Sequence, residues 1–175
     1  MQIAKDKPNT IRIATVPGTM WEYLVEQIEA NTGAKFLRVP FQGGGPAMQA
    51  LLSGDAEVTM GFPSTLSALL DAGKVKILAT AGEERIYDDV PSFAELNIGG
   101  DVGFMHRVVL APAGTPDDVL EKLAEAFTAL QEDKTYKNMM GRLGENTDYI
   151  SGGEYQAMRE GQNAAYKDLV DSITK

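Results

Sequence analysis

Apolar residues fall into short runs that alternate with stretches carrying them every third or fourth position. The runs predict strands and the spaced stretches predict helices. Residues 11–16 predict a strand, broken by Pro17 and Gly18. From Met20 to Thr32 a helix is predicted, with Trp21, Leu24, Val25 and Ile28 on one face and Gly33 closing it. Residues 36–40 predict a second strand. The loop Gln42-Gly43-Gly44-Gly45 leads into a helix over 46–53, where Pro46 suits the first turn because no intrahelical donor is needed there. Residues 56–62 predict a third strand and 64–72 a helix closed by Gly73. Residues 75–81 predict a fourth strand, apolar enough for a buried central position.

The pattern then changes. Residues 82–103 read as irregular, with a short helix near 92–96, and 107–111 as a further strand. Thr115 is the expected N-cap of a helix to about 131. Pro116 stands in its first turn, and Asp117 and Asp118 near its positive dipole end. A second helix is predicted over 136–143, a short strand over 147–150, and a last helix capped by Ser151 and running to about 173.

This order predicts an α/β fold, a mixed or parallel sheet flanked by helices. Residues 1–10 are a polar lead-in, 11–111 an α/β lobe, and 112–175 a helical segment without a main sheet of its own. Val119, Leu120, Leu123, Phe127 and Leu130 form one apolar stripe on that segment; Tyr155, Met158, Ala165, Leu169 and Ile173 form another. Burying such stripes is worth about 25 cal/mol per Å². The expectation is self-association through these C-terminal helices, or a lobe outside the chain that covers them.

With 43% hydrophobic residues over 175 positions, the chain can build a substantial core. A formal charge of -9 argues against nucleic acid, whose phosphates need a basic face. A small anion is still compatible, because amides at a helix N-terminus bind one locally. The absence of cysteine removes disulfides, thiolate nucleophiles and cysteine-based zinc sites. His106, the single histidine, excludes a metal site built on several histidines. No Gly-x-Ser-x-Gly elbow, Walker loop or dinucleotide fingerprint is present. The chain is therefore expected to be no enzyme and to use neither metal nor cofactor.

Three strand-to-helix turns are the candidate binding elements, since open α/β sheets bind ligands at the carboxyl ends of their strands. The first is Gly18-Thr19-Met20-Trp21, where the competing reading is a capping box of Thr19 and Glu22. The second is Gly43-Gly44, whose small residues let backbone approach a ligand; the competing reading is a flexible connection. The third is Phe62-Pro63-Ser64, where Ser64 reads as an N-cap with exposed amides beside it. Arg107, next to an apolar run, is the candidate carboxylate partner; the alternative is a surface charge at a strand start.

The segment Val39-Pro40-Phe41-Gln42-Gly43-Gly44-Gly45-Pro46-Ala47 resembles a segment of the substrate-binding proteins of tripartite tricarboxylate transporters. So do Ala50-Leu51-Leu52-Ser53-Gly54, Ala72-Gly73-Lys74-Val75, Val90-Pro91-Ser92-Phe93-Ala94-Glu95 and Leu110-Ala111-Pro112-Ala113-Gly114-Thr115-Pro116, in family order. The resemblance implies a periplasmic-binding-protein-like fold of two α/β lobes, of which this chain is the C-terminal portion. It implies a periplasmic receptor that captures a small organic carboxylate and hands it to membrane permease subunits. Carried over by position, the ligand loops are those of Gly18, Thr19 and Met20, of Gly43 and Gly44, and of Phe62, Pro63 and Ser64, and Arg107 falls near a position that is arginine in some members. Met20 and Trp21 stand where many members carry small hydroxyl residues, and Phe62 where many carry asparagine. These changes remove hydrogen-bonding groups and imply a ligand with an apolar part rather than a citrate-like one. An effector-sensing regulatory module on the same fold is the alternative.

Overall fold

A computed structural model describes residues 1–99, 106–143, 145, 147 and 149–173, with the side chains at 162, 164–166 and 168–173 outside that description. The chain forms two compact units, Met1–Val108 and Val109–Lys175.

The first unit is built on three parallel strands, β1 (Arg12–Thr15), β2 (Leu37–Pro40) and β3 (Val58–Thr59), in the order β2-β1-β3. Helix α2 (Met20–Thr32) connects β1 to β2, α3 (Gly44–Ser53) connects β2 to β3, and α4 (Pro63–Asp71) follows β3. A short helix α1 (Gln2–Asp6) precedes the sheet, where a plain lead-in was expected. Its one buried residue, Ala4, joins the main core, and its carbonyl accepts from the Lys35 amide at 3.1 Å. Tertiary contact therefore orders a segment too short and polar to be read as helix.

The pleat of β1 divides the interior. Ile13 packs with Leu24, Val25 and Ile28 of α2 and with Phe36, Phe93 and Ile98. Ala14, facing the other way, packs with Ala47 and Ala50 of α3 and with Ala56. Alternation along the strand thus sends one residue to each helical layer. Small side chains on the α3 side let that helix lie close to the sheet. The α2 side is filled by branched and aromatic residues. Arg12 and Glu57 tie β1 to β3 at the amino edge: Arg12 Nε lies 3.0 Å from Glu57 Oε1, and the Arg12 amide 2.7 Å from Oε2.

Two predicted strands do not form. Residues 75–81 make only a single parallel bridge, Thr80 to Ser92, and Leu78 is 64% exposed. Residues 107–111 form no strand among the described residues, and Leu110 is 83% exposed. A strand is a pairing relation, and β-branched composition does not by itself create one. Around Ser92 the predicted short helix is a turn, held by a reciprocal cap in which the Glu95 amide donates to Ser92 Oγ at 3.2 Å and the Ser92 amide to Glu95 Oε2 at 2.8 Å. Of the irregular stretch 82–103, residues 100–103 lie outside the described residues.

The second unit contains α5 (Asp117–Leu130), α6 (Lys134–Arg142) and α7 (Gly152–Ile173). Pro116, not Thr115, is the N-cap of α5; the Thr115 hydroxyl instead donates to the Pro112 carbonyl at 2.8 Å, closing the preceding turn. Ser151 caps α7 as expected: the Glu154 amide donates to Ser151 Oγ at 3.3 Å and the Ser151 amide to Glu154 Oε2 at 3.1 Å. The 147–150 strand falls partly outside the described residues, and 147, 149 and 150 are irregular. On α5, Val119, Leu120, Leu123 and Leu130 are all exposed. On α7, Tyr155 and Met158 are half-buried, while the side chains of Ala165, Leu169 and Ile173 lie outside the described residues.

Candidate functional site

The strand order creates the site. The chain leaves β1 through α2 toward β2 on one side and returns through α3 to β3 on the other. The loops after β1 and β3 therefore separate at the carboxyl edge, the place where open sheets leave a crevice. Register fixes the loop origins: Thr15 pairs with Pro40, Ala14 with Thr59, and the Phe41 amide donates to the Thr15 carbonyl at 2.8 Å.

Trp21 joins these loops. It opens α2, yet it packs with Phe41 against the alanine cluster on the α3 side of the sheet. Its ring centroid lies 6.3 Å from that of Phe62, with the planes inclined by 57°. A Cβ on Gly44 would stand 3.2 Å from the far carbon of the indole, Cη2. The first, second and third candidate turns thus meet through Trp21, Gly44 and Phe62. Sequence periodicity had placed Trp21 with Leu24, Val25 and Ile28 instead. Phe41, which shares the Trp21 cluster, lies within the family motif, between β2 and α3.

The backbone donors differ among the three turns. At the first, Gly18 has φ +72°, and its amide donates to Glu22 Oε2 at 3.0 Å. Thr19 is the N-cap, accepting from the Trp21 amide at 3.3 Å and donating its own hydroxyl proton to the Val16 carbonyl at 2.6 Å. The expected capping box is therefore displaced by one residue, with Glu22 reaching Gly18 rather than Thr19. At the third turn the N-cap is Phe62, not Ser64; the Phe62 amide donates to Thr65 Oγ1 at 3.2 Å, and Thr65 sits where its hydroxyl can return to the helix start. At the second turn Gly43, with φ +153°, caps α3 without any side-chain bond. Among the described residues, the amides of Gly43, Gly44 and Gly45 meet no protein acceptor. A helix start with open amides favours an anion.

Met20 is half-buried and packs against the main core, so it supports the first turn from beneath. Ser64 is half-buried. Arg107 is exposed and lies in an irregular segment rather than at a strand start.

The frame behind the site is held by a carboxylate. Glu29 of α2 is 8% exposed and accepts from the Phe36 amide at 3.0 Å, from Arg38 Nη2 at 3.1 Å and from Lys35 Nζ at 3.3 Å. Burial pushes its carboxyl up, but the Phe36 amide and the two cations outweigh that, and the group is held below the ordinary carboxylate value. Arg38 of β2 also reaches Glu26 Oε1 at 3.1 Å, so it clamps α2 to β2 through two carboxylates.

The model of one protein family, the tripartite tricarboxylate transporter family receptor, TctC, matches residues 1–174. The chain belongs to that family. A UPF0065 protein in the gbd 5′ region of Cupriavidus necator is 28% identical over 156 residues, covering 87% of this chain and 47% of the relative. A TctC solute-binding protein from Polaromonas, solved without ligand, is 26% identical with a TM-score of 0.72, over 98% of this chain and 59% of that one. An R. palustris protein solved with adipate superposes with a TM-score of 0.81 at 21% identity, over 97% and 58%. The chain spans about half the length of the curated relatives it matches. The TctC family is a receptor family with a periplasmic-binding-protein-like fold, and the parallel sheet flanked by helices agrees with it. Among the described residues, no helix is long and apolar enough to cross a membrane.

Proposed function

We propose that this chain contributes the ligand-contacting loops of a periplasmic solute receptor that captures a small organic carboxylate for a tripartite transporter, without turnover. The carrying observation is the start of α3, which no side chain caps: among the described residues the Gly43, Gly44 and Gly45 amides meet no protein acceptor, and the Trp21 ring stands beside Gly44. Open amides supply donors to an oxygen anion even in a protein of net charge -9. The R. palustris protein solved with adipate supports a carboxylate as the ligand class. Residues 11–111 form the binding lobe in this reading, 112–175 belong to the other lobe, and Arg107 is the candidate counter-charge. The permease subunits of the transporter are the partners.

Mono-, di- and tricarboxylates titrated by calorimetry and tryptophan fluorescence together test the placement. Trp21 is the sole tryptophan, so its emission is expected to change on binding. Heat of binding with unchanged emission would remove Trp21 from the site.

The exposed α5 stripe supports self-association of the chain. Sedimentation velocity across a concentration series is expected to show it, more strongly in high salt, because screening relieves repulsion between copies of charge -9. A strictly monomeric species under both salt conditions overturns it.

A further inference from the structure

We propose that Trp21 and Phe62 form an apolar ledge that selects carboxylates with a planar, aromatic body over compact, hydroxyl-rich di- and tricarboxylates. The inference rests on the carboxylate reading above and adds the chemistry of the rest of the ligand.

The two rings come from different turns, after β1 and after β3, and meet at 6.3 Å between centroids and 57° between planes. That separation and tilt lie in the attractive range for aromatic pairs. Both side chains are half-buried, so each keeps surface available to a ligand. Gly44 sets the indole's position. A side chain there would begin 3.2 Å from Cη2 and 3.4 Å from Cζ2 and would push the ring away from α3. The edge that reaches Gly44 is the benzo edge, which carries only carbon. A ligand carboxylate at the α3 amides therefore has apolar surface as its immediate neighbour. A hydroxyl placed there loses water and gains no partner, whereas an aromatic body gains stacking or edge contact. Met20, the other long side chain of the same turn, packs against the core and adds no polar group beside the rings.

The test is isothermal calorimetry on the 175-residue chain with 3-phenylpropionate, adipate, citrate and the uncharged 3-phenylpropionamide. The wild-type chain is expected to bind 3-phenylpropionate roughly tenfold more tightly than citrate, the scale of one good aromatic contact. Trp21→Ala and Phe62→Ala are expected to bring the two acids within about twofold of each other by weakening only the aromatic acid. Circular dichroism confirms folding, and Phe62→Ala keeps the test alive should Trp21→Ala fail to fold. Citrate binding as tightly as 3-phenylpropionate overturns the ledge and leaves the carboxylate reading standing. The amide binding as tightly as the acid overturns the carboxylate anchor instead. Failure of every acid to bind overturns both.

Discussion

Glu29→Ala is expected to destabilise the first unit by about 2–4 kcal/mol, read as a lower midpoint in urea denaturation. The substitution leaves the buried Phe36 amide without its acceptor and releases one of the two carboxylates that hold Arg38. It also opens space between α2 and β2, where Glu29 is 8% exposed. The same carboxylate gives a pH signature. Its folded-state pKa lies below the ordinary value, so its contribution is fully present above the ordinary carboxylate pKa. That contribution is lost as pH falls through the lowered folded-state value. Stability of the wild-type chain should therefore drop on acidification below about pH 4.5, and Glu29→Gln should flatten that drop. An unchanged acid slope in Glu29→Gln would show that other carboxylates govern acid unfolding. Glu57 and Glu95 are the comparison, since arginine hydrogen bonds lower both but both are exposed, where screening weakens the effect.

Ile13→Ala is expected to cost about 3 kcal/mol, within the range for truncating a buried branched side chain. Ile13 is 1% exposed at the centre of β1, with Val25 at 0% and Leu24 at 6% beside it in the same cluster. Rigid neighbours on α2 and the paired backbone of β1 leave little room for the cavity to collapse. Leu78→Ala is the control, expected to cost no more than about 0.5 kcal/mol because Leu78 is 64% exposed. Were 75–81 a buried central strand, the two substitutions would cost alike. Ligand affinity well below the unfolding transition should survive Ile13→Ala. That residue faces α2, whereas the open amides lie at the start of α3.

Most helices of the fold were legible in the sequence. Residues Met20–Thr32 carry a 3.6-residue apolar period and end on Gly33, and the structure reproduces both boundaries. Ser151 and Glu154 announce the start of α7 through side chains three residues apart, a local bond that needs no tertiary context. Local signals were weaker where two alternatives are chemically close. Ser64 and Thr115 both suit an N-cap, but Phe62 and Pro116 hold those positions, because Thr65 and the turn at Pro112 claim the local hydrogen bonds first.

What the sequence by itself determined is therefore what depends on neighbours along the chain: the α/β alternation, the glycine-marked turns and the family motifs. The tertiary structure decided whatever depends on neighbours in space. The apolar run at 75–81 gained only the bridge from Thr80 to Ser92, and the run at 107–111 formed no strand among the described residues. The strand order β2-β1-β3 placed the turns after β1 and β3 side by side at the carboxyl edge of the sheet. Trp21, whose spacing assigns it to the α2 core face, crossed the sheet edge to Gly44 and Phe62. Periodicity reports the side of a helix on which a residue lies, but the first turn projects past the strand ends. There, the loops that surround it determine what its side chain touches.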